Sequence, residues 1–339
     1  MNNILITGVN GFVGSHLAKR LLNENYNVIG IIRDNNNNKM LKHLEIDNHD
    51  KLTLVRGDII EKDVIKRCIV DYNIDTIFHL AAQSIVKDAL KDPFSTYNTN
   101  VIGLVNILDV CRNSDVKNQI LNIIIASTDK VYGEGLNKKE NDCINIKETG
   151  IYESSKMCED IIAHSFRYIY NLPITICRPC NIYGFDLNNR IIPNTIKQCI
   201  NNESPTIFTN VIGVREYIYV EDVVDAYISI SKLQELYTLN LEIDNNNFVF
   251  NIGTGDIINQ KDLVLLITKI YNQANIRSVK CNYINRDTSS SYKEIIEQSL
   301  NSDFIKAKLK WCPKYSLEEG LTKTISEFSD YYNKNELLS

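Results

Sequence analysis

The chain alternates short, continuous apolar runs with longer stretches whose apolar positions recur at helical spacing. Asn3-Ile4-Leu5-Ile6-Thr7-Gly8 is apolar, β-branched and stopped by glycine, which predicts a strand. Residues 15–22 (Ser-His-Leu-Ala-Lys-Arg-Leu-Leu) then predict a helix. The same alternation recurs, with strands predicted at 27–32, 52–58, 76–82, 123–126 and 174–177. Helices are predicted at 98–112 and from 153 to about 170. Strands that are apolar throughout are buried on both faces, so the pattern predicts an α/β fold with a doubly wound parallel sheet and right-handed crossovers. Beyond Cys177 the pattern loosens into short strands and helices, predicting a smaller mixed α/β lobe over the strand ends. The expected division is a nucleotide domain at 1–178 and a lobe at 179–339, with one strand of the main sheet returning near 215–255. The helical stretches near 301–307 and 317–332 are expected to form a surface cap.

The turn between the first strand and helix reads Gly8-Val9-Asn10-Gly11-Phe12-Val13-Gly14. Gly8 permits the tight turn, Gly11 lets backbone approach a pyrophosphate, and Gly14 allows close helix–strand packing. The helix amino terminus then attracts phosphate. This is a Rossmann-type dinucleotide unit, with Phe12 and Val13 in its cofactor-binding turn. An NAD site calls for an acid at the end of the second strand, but Ile32 stands there, followed by Arg33 and Asp34. A guanidinium suits a 2′-phosphate that a carboxylate would repel, so the expectation leans to NADP over NAD, with Asp34 as the alternative acid. Asp58, ending the third strand, suits the adenine amino group, with Ile59 beside it. Leu80, Ala81 and Ala82 end the fourth strand where a cofactor backbone could pass.

The fifth strand delivers Ser127-Thr128-Asp129-Lys130 to its carboxyl edge, and Tyr152 and Lys156 follow four apart on one helix face. Composition narrows the partners. A formal net charge of -5 without a long basic run argues against nucleic acid and anionic membranes. No apolar run reaches the ~20 residues of a membrane span, and the chain enters its first strand at once, so a cytoplasmic location is expected. Nine cysteines lack framework spacing, and Cys177-x-x-Cys180 has no second pair. Thiols are expected there rather than a metal, and His79 is expected to be packed.

Together these residues resemble the extended short-chain dehydrogenase/reductases, in particular the nucleotide-sugar epimerases and dehydratases. The ordered landmarks are the glycine loop, Gly57-Asp58, His79-Leu80-Ala81-Ala82-Gln83, Asn100, Thr128, Tyr152-x-x-x-Lys156, Arg178-Pro179-x-x-x-Tyr183-Gly184 and Arg215-Glu216-Tyr217. Leu309-Lys310-Trp311-x-Pro313, followed by Ser316-Leu317-Glu318-Glu319-Gly320, resembles the family's carboxyl-terminal signature. The resemblance implies that Tyr152 removes the sugar 4-hydroxyl proton, helped by Lys156 and a tightly bound, recycled NAD(P), while Thr128 holds the hydroxyl. A free phenol, pKa ~10, is otherwise a poor base.

Asp129 and Lys130 stand where epimerases usually have small or apolar residues and 4,6-dehydratases have an acid. That resemblance implies loss of water across C5–C6, with Asp129 as the acid and Lys130 as C5 base or enolate stabiliser. The alternative outcome is a C4 epimerase, oxidoreductase or decarboxylase. The Asp-Lys pair resembles CDP-glucose and UDP-N-acetylglucosamine dehydratases, whereas Gly30-Ile31-Ile32-Arg33 and Ala81-Ala82-Gln83-Ser84 are closer to GDP-mannose dehydratases. Arg190, Arg215 and Arg286 are expected at a nucleoside diphosphate sugar, with Ser84 and Asn181 beside it. A homodimer through a four-helix bundle, built on helices 98–112 and 153–170, is also implied.

Overall fold

The structure, a computed structural model, describes residues 2–34, 38–147, 149–237, 248–274, 278–285 and 295–336. Seven parallel strands form the main sheet, in the order 249–252, 174–179, 122–126, 76–79, 3–7, 27–32, 52–56. Strand order reverses between Asn3–Thr7 and Thr76–His79, which opens a crevice at their carboxyl ends. The continuous apolar runs divide between two layers. Ile4 and Ile6 pack with Leu17 and Leu21 of the helix Phe12–Asn23 and with Tyr227 of the helix Val220–Tyr237. Leu5, between them in sequence, packs on the other face with Ile65, Leu104 and Leu108. Alternate residues therefore feed opposite cores, and no polar face remains to mark the strand.

A second sheet centres on Val214–Tyr219. This strand runs antiparallel to Ile257–Asn259 and parallel to Glu297–Leu300 and Asn181–Tyr183, while Gly135–Lys138 adds beyond Glu297–Leu300. The strand that returns to the main sheet is Val249–Ile252, beside Ile174–Pro179. The Tyr-Lys helix runs Ile151–Tyr170 and stops at Asn171, whose φ of 52° is left-handed.

Two expectations are corrected. The stretch 98–112 is not one regular helix: Asn98–Ile102 is a π-turn that leads into the α-helix Gly103–Cys111. The wider turn accompanies a buried amide network. Asn100 Oδ1 accepts from the Gln83 N–H at 2.7 Å, and its Nδ2 donates to Ser155 Oγ at 2.8 Å. The carboxyl-terminal helix Leu317–Glu336 is more than a surface cap, because Leu321, Ile325 and Phe328 are buried with Phe185 and Ile192 in the lobe's core. Among the described residues, no helix is long and apolar enough to cross a membrane.

Candidate active site

The glycine turn is shaped by backbone. Gly8 has φ +74°, and a Cβ there would lie 2.9 Å from the Ala81 backbone. A Cβ on Gly14 would lie 2.1 Å from the Gly8 carbonyl oxygen, so the helix can sit on the turn only with hydrogen there. The Gly11 N–H closes the turn on Gly8 O at 2.9 Å. Thr7, to which sequence reasoning assigned no role, ties the two sides of the crevice: its Oγ1 accepts from the Leu80 and Ala81 N–H groups, each at 3.2 Å. The same oxygen lies 2.9 Å from His79 Nδ1. Burial pushes the His79 imidazole down to about 3, so the ring is a neutral packing group. This cradle, which any Cβ would fill, fits a dinucleotide.

The other cofactor candidates line up unevenly. Arg33 and Asp34 are exposed just past the second strand. Asp58 Oδ1 accepts from the Ile60 N–H at 3.2 Å, while Ile59 is buried against Gly103. Leu80, Ala81 and Ala82 are half-buried at the crevice, Val13 is half-buried, and Phe12 is buried edge-on to His16.

The fifth strand, Asn122–Ala126, ends in a tight 3-10 turn over Asp129–Tyr132. Thr128 holds that turn twice: its Oγ1 accepts from the Lys130 N–H at 3.4 Å and donates to Asp129 Oδ1 at 3.0 Å. Asp129 is 1% exposed; Lys130 Nζ lies 3.5 Å from Oδ1, and Oδ2 has no hydrogen-bond partner among the described residues. Lys130 Nζ also donates to Asn181 Oδ1 at 3.2 Å, and Asn181 Nδ2 donates to Glu216 O at 2.9 Å. The turn is thereby tied to the second sheet. Tyr152 and Lys156 are both buried, and Lys156 Nζ donates to Ala126 O and to Glu159 Oε2, each at 2.9 Å. Burial lowers the Lys156 ammonium and the anions near it, Glu159 foremost, raise it; the net shift is upward. Burial pushes Glu159 up to about 7 despite the lysine.

Of the substrate candidates, Arg190 and Ser84 come together, with Nη2 donating to Oγ at 3.3 Å, and Asp186 Oδ2 lies 3.7 Å from Arg190 Nε. Arg215 is turned elsewhere: Nη1 donates to Val214 O at 2.9 Å and Ile296 O at 3.0 Å, and Nη2 donates to Ile295 O. Arg286 lies outside the described residues. Sequence reasoning also assigned no role to two buried acids. Glu216 accepts from the Gly255 and Leu300 N–H groups, each at 2.7 Å, which clamps the 251–255 segment to the second sheet. Asp160 pairs with Arg178, discussed below. Glu159 had a signal: it lies seven residues past Tyr152 and three past Lys156, on the same helical stripe.

The model of the GDP-mannose 4,6-dehydratase family matches residues 5–324. The chain belongs to that family. A member in Arabidopsis thaliana, named a trifunctional UDP-glucose 4,6-dehydratase/UDP-4-keto-6-deoxy-D-glucose 3,5-epimerase/UDP-4-keto-L-rhamnose-reductase, is 30% identical over 344 residues. The alignment covers 98% of this chain but 47% of the plant protein, so this dehydratase-family chain spans about half that relative's length. Human dTDP-D-glucose 4,6-dehydratase is 26% identical, with 98% of this chain and 90% of the human protein covered. Among solved structures, UDP-glucose 4-epimerase from Thermotoga maritima superposes with a TM-score of 0.80 at 26% identity, covering 97% of this family member and 99% of the epimerase. The dTDP-glucose 4,6-dehydratase from Bacillus anthracis, crystallised with NAD, gives 0.80 at 23% identity over 98% of each chain, a likeness of fold.

Proposed function

We propose that the protein is an NAD(P)-dependent nucleoside-diphosphate-sugar 4,6-dehydratase that forms a 4-keto-6-deoxy sugar nucleotide. The observation that carries this reading is Asp129. Its Oδ1 is held by Thr128 and Lys130, while its buried Oδ2 has no partner among the described residues. A carboxyl with one oxygen fixed and the other unoccupied is placed to hand a proton to a departing hydroxyl. An enzyme that only inverts C4 has no hydroxyl to expel.

The glycine turn, Thr7, the crevice at Leu80–Ala82, Tyr152 and Lys156 would hold the nicotinamide cofactor, which when bound accepts hydride from C4 and returns it at C6. Tyr152 takes the proton from the 4-hydroxyl, and Thr128 Oγ1 orients that hydroxyl. With a ketone at C4 the C5 hydrogen becomes acidic, and Asp129 protonates the C6 oxygen as it leaves. Lys130 Nζ, held at Asn181 and beside Asp129, takes the C5 proton and, as the resulting ammonium, stabilises the enolate. Arg190 with Ser84 offers a cationic and a hydroxyl contact for the diphosphate sugar. Arg33, exposed past the second strand, favours NADP.

A second copy of the chain is the proposed partner. Ile102 at 45% exposure, Ile161 at 56%, Tyr168 at 87% and Ile169 at 65% present bare apolar surface on the helices expected to form the bundle. Light scattering at twice 38.8 kDa supports this and a monomer mass refutes it. Nine free thiols fit a cytoplasmic setting. The function itself is tested by incubating the full chain with CDP-, UDP-, GDP- and dTDP-hexoses and reading product mass. Loss of one water from one of them supports the dehydratase. Mass-neutral conversion at C4 instead selects the epimerase reading, which the Thermotoga likeness favours.

A further inference from the structure

Lys156 is a cation deep inside the protein, 4% exposed, and its charge must be balanced there. The surrounding elements bring few ions to it. His79, from the fourth strand, is held neutral by burial. Burial likewise raises the Cys177 thiol of the neighbouring strand and the Tyr227 phenol of the helix over that face, so both stay uncharged. His164, two turns along on its own helix, is pushed down by burial. Arg178 is a cation, and Asp160 is committed to it through contacts of 2.7 Å at Nε and 2.6 Å at Nη2. Glu159 stands foremost among the anions that act on Lys156, with Tyr152 and Asp160 behind it and Glu153 buried one turn earlier. It is 0% exposed, with Oε2 2.9 Å from Lys156 Nζ and Oε1 without a hydrogen-bond partner among the described residues.

Resting on the dehydratase reading, we propose that Glu159 is the positioning residue of the catalytic lysine: a buried counter-ion that keeps Lys156 charged, fixes its Nζ against Ala126 O, and so sets the pH range over which Tyr152 works. The geometry requires such a group. Three donors on an ammonium in a dry site need acceptors, and Ala126 O supplies one without charge. A carboxylate at 2.9 Å supplies the second and neutralises the ion. The arrangement has a cost at the phenol. An anion behind the ammonium weakens the field that favours a phenolate, so the enzyme gives up some acid-side activity to keep its lysine protonated on the alkaline side.

The test is Glu159→Gln in the whole chain, with the rate of water loss measured from pH 5 to 10. Without the anion Lys156 loses its proton more easily, so the alkaline limb moves to lower pH by about one unit or more. The acid limb moves the same way but less, because Glu159, raised by burial to about 7, already carries a proton over part of that range. Glu159→Asp, which keeps the charge, returns the alkaline limb toward the wild-type position. Limbs that stay in place in a folded Glu159→Gln protein, or move to higher pH, overturn the assignment.

A readout without substrate separates this proposal from the function it rests on. Between about pH 4.5 and 7 folded Glu159 holds a proton that the unfolded chain has released, so its contribution to stability falls as pH rises. Urea midpoints of the wild type should therefore fall relative to Glu159→Gln across that window. If no nucleotide sugar is turned over, the dehydratase reading fails while this comparison still decides the state of Glu159. A midpoint difference that is flat with pH gives folded Glu159 the acidity of an unfolded carboxyl and refutes the burial-shifted carboxyl assigned here.

Discussion

Replacing Arg178 by methionine tests the polar cluster beneath the Asp129–Tyr132 turn. Its guanidinium donates to Asp160 Oδ2 from Nε at 2.7 Å, to Tyr132 Oη from Nη1 at 2.7 Å and to Glu140 O at 3.3 Å. Tyr132 passes the chain on to Asn251 Oδ1 at 2.8 Å, and burial pushes its phenol up to about 12. Asp160 and Arg178 are both essentially inaccessible to water, so the substitution strands a carboxylate in a dry site. Breaking a buried pair from one side costs about 3–5 kcal/mol. Asp160→Leu should cost a similar amount by stranding the cation. The double substitution removes both charges, keeps the volume roughly filled, and should lose much less than the sum of the two. Urea unfolding followed by circular dichroism at pH 7 measures all three, with m compared to check that the denatured state is unchanged. A loss under about 1 kcal/mol for Arg178→Met, or simple additivity in the double variant, would refute the reasoning.

Asp129→Asn should leave reduction of the bound cofactor by the sugar largely intact while lowering water loss by about 10²- to 10⁴-fold, read by absorbance at 340 nm and product mass. An unchanged elimination rate places the acid elsewhere. Gly14→Ala forces a methyl into the 2.1 Å gap above Gly8 O and should strip the protein of dinucleotide, measured by titration of cofactor fluorescence. Arg33→Ala should weaken NADP at least ~10-fold with little effect on NAD, since one charge-assisted contact is worth about 1.5–3 kcal/mol; equal affinities before and after argue for the opposite cofactor.

By itself, the sequence determined the strands that stop at glycine or at polar residues, the glycine turn, and the chemical identity of Thr128, Asp129, Tyr152 and Lys156. These features are local: a strand's apolar run, a turn's glycines and a helix's four-residue spacing are each written within a few positions. The tertiary structure decided which charges meet. Tyr132 finds Asn251 across 119 positions, Arg190 finds Ser84 across 106, and Glu216 accepts from Leu300 across 84. Arg215 shows the limit most clearly, because its motif is conspicuous in sequence while its guanidinium is spent on carbonyls about 80 positions away. The partner of an ion depends on which strand lies beside which, and on how dry the gap between them is. No periodicity encodes either. Only packing brought Asp160 to Arg178 and Glu159 to Lys156.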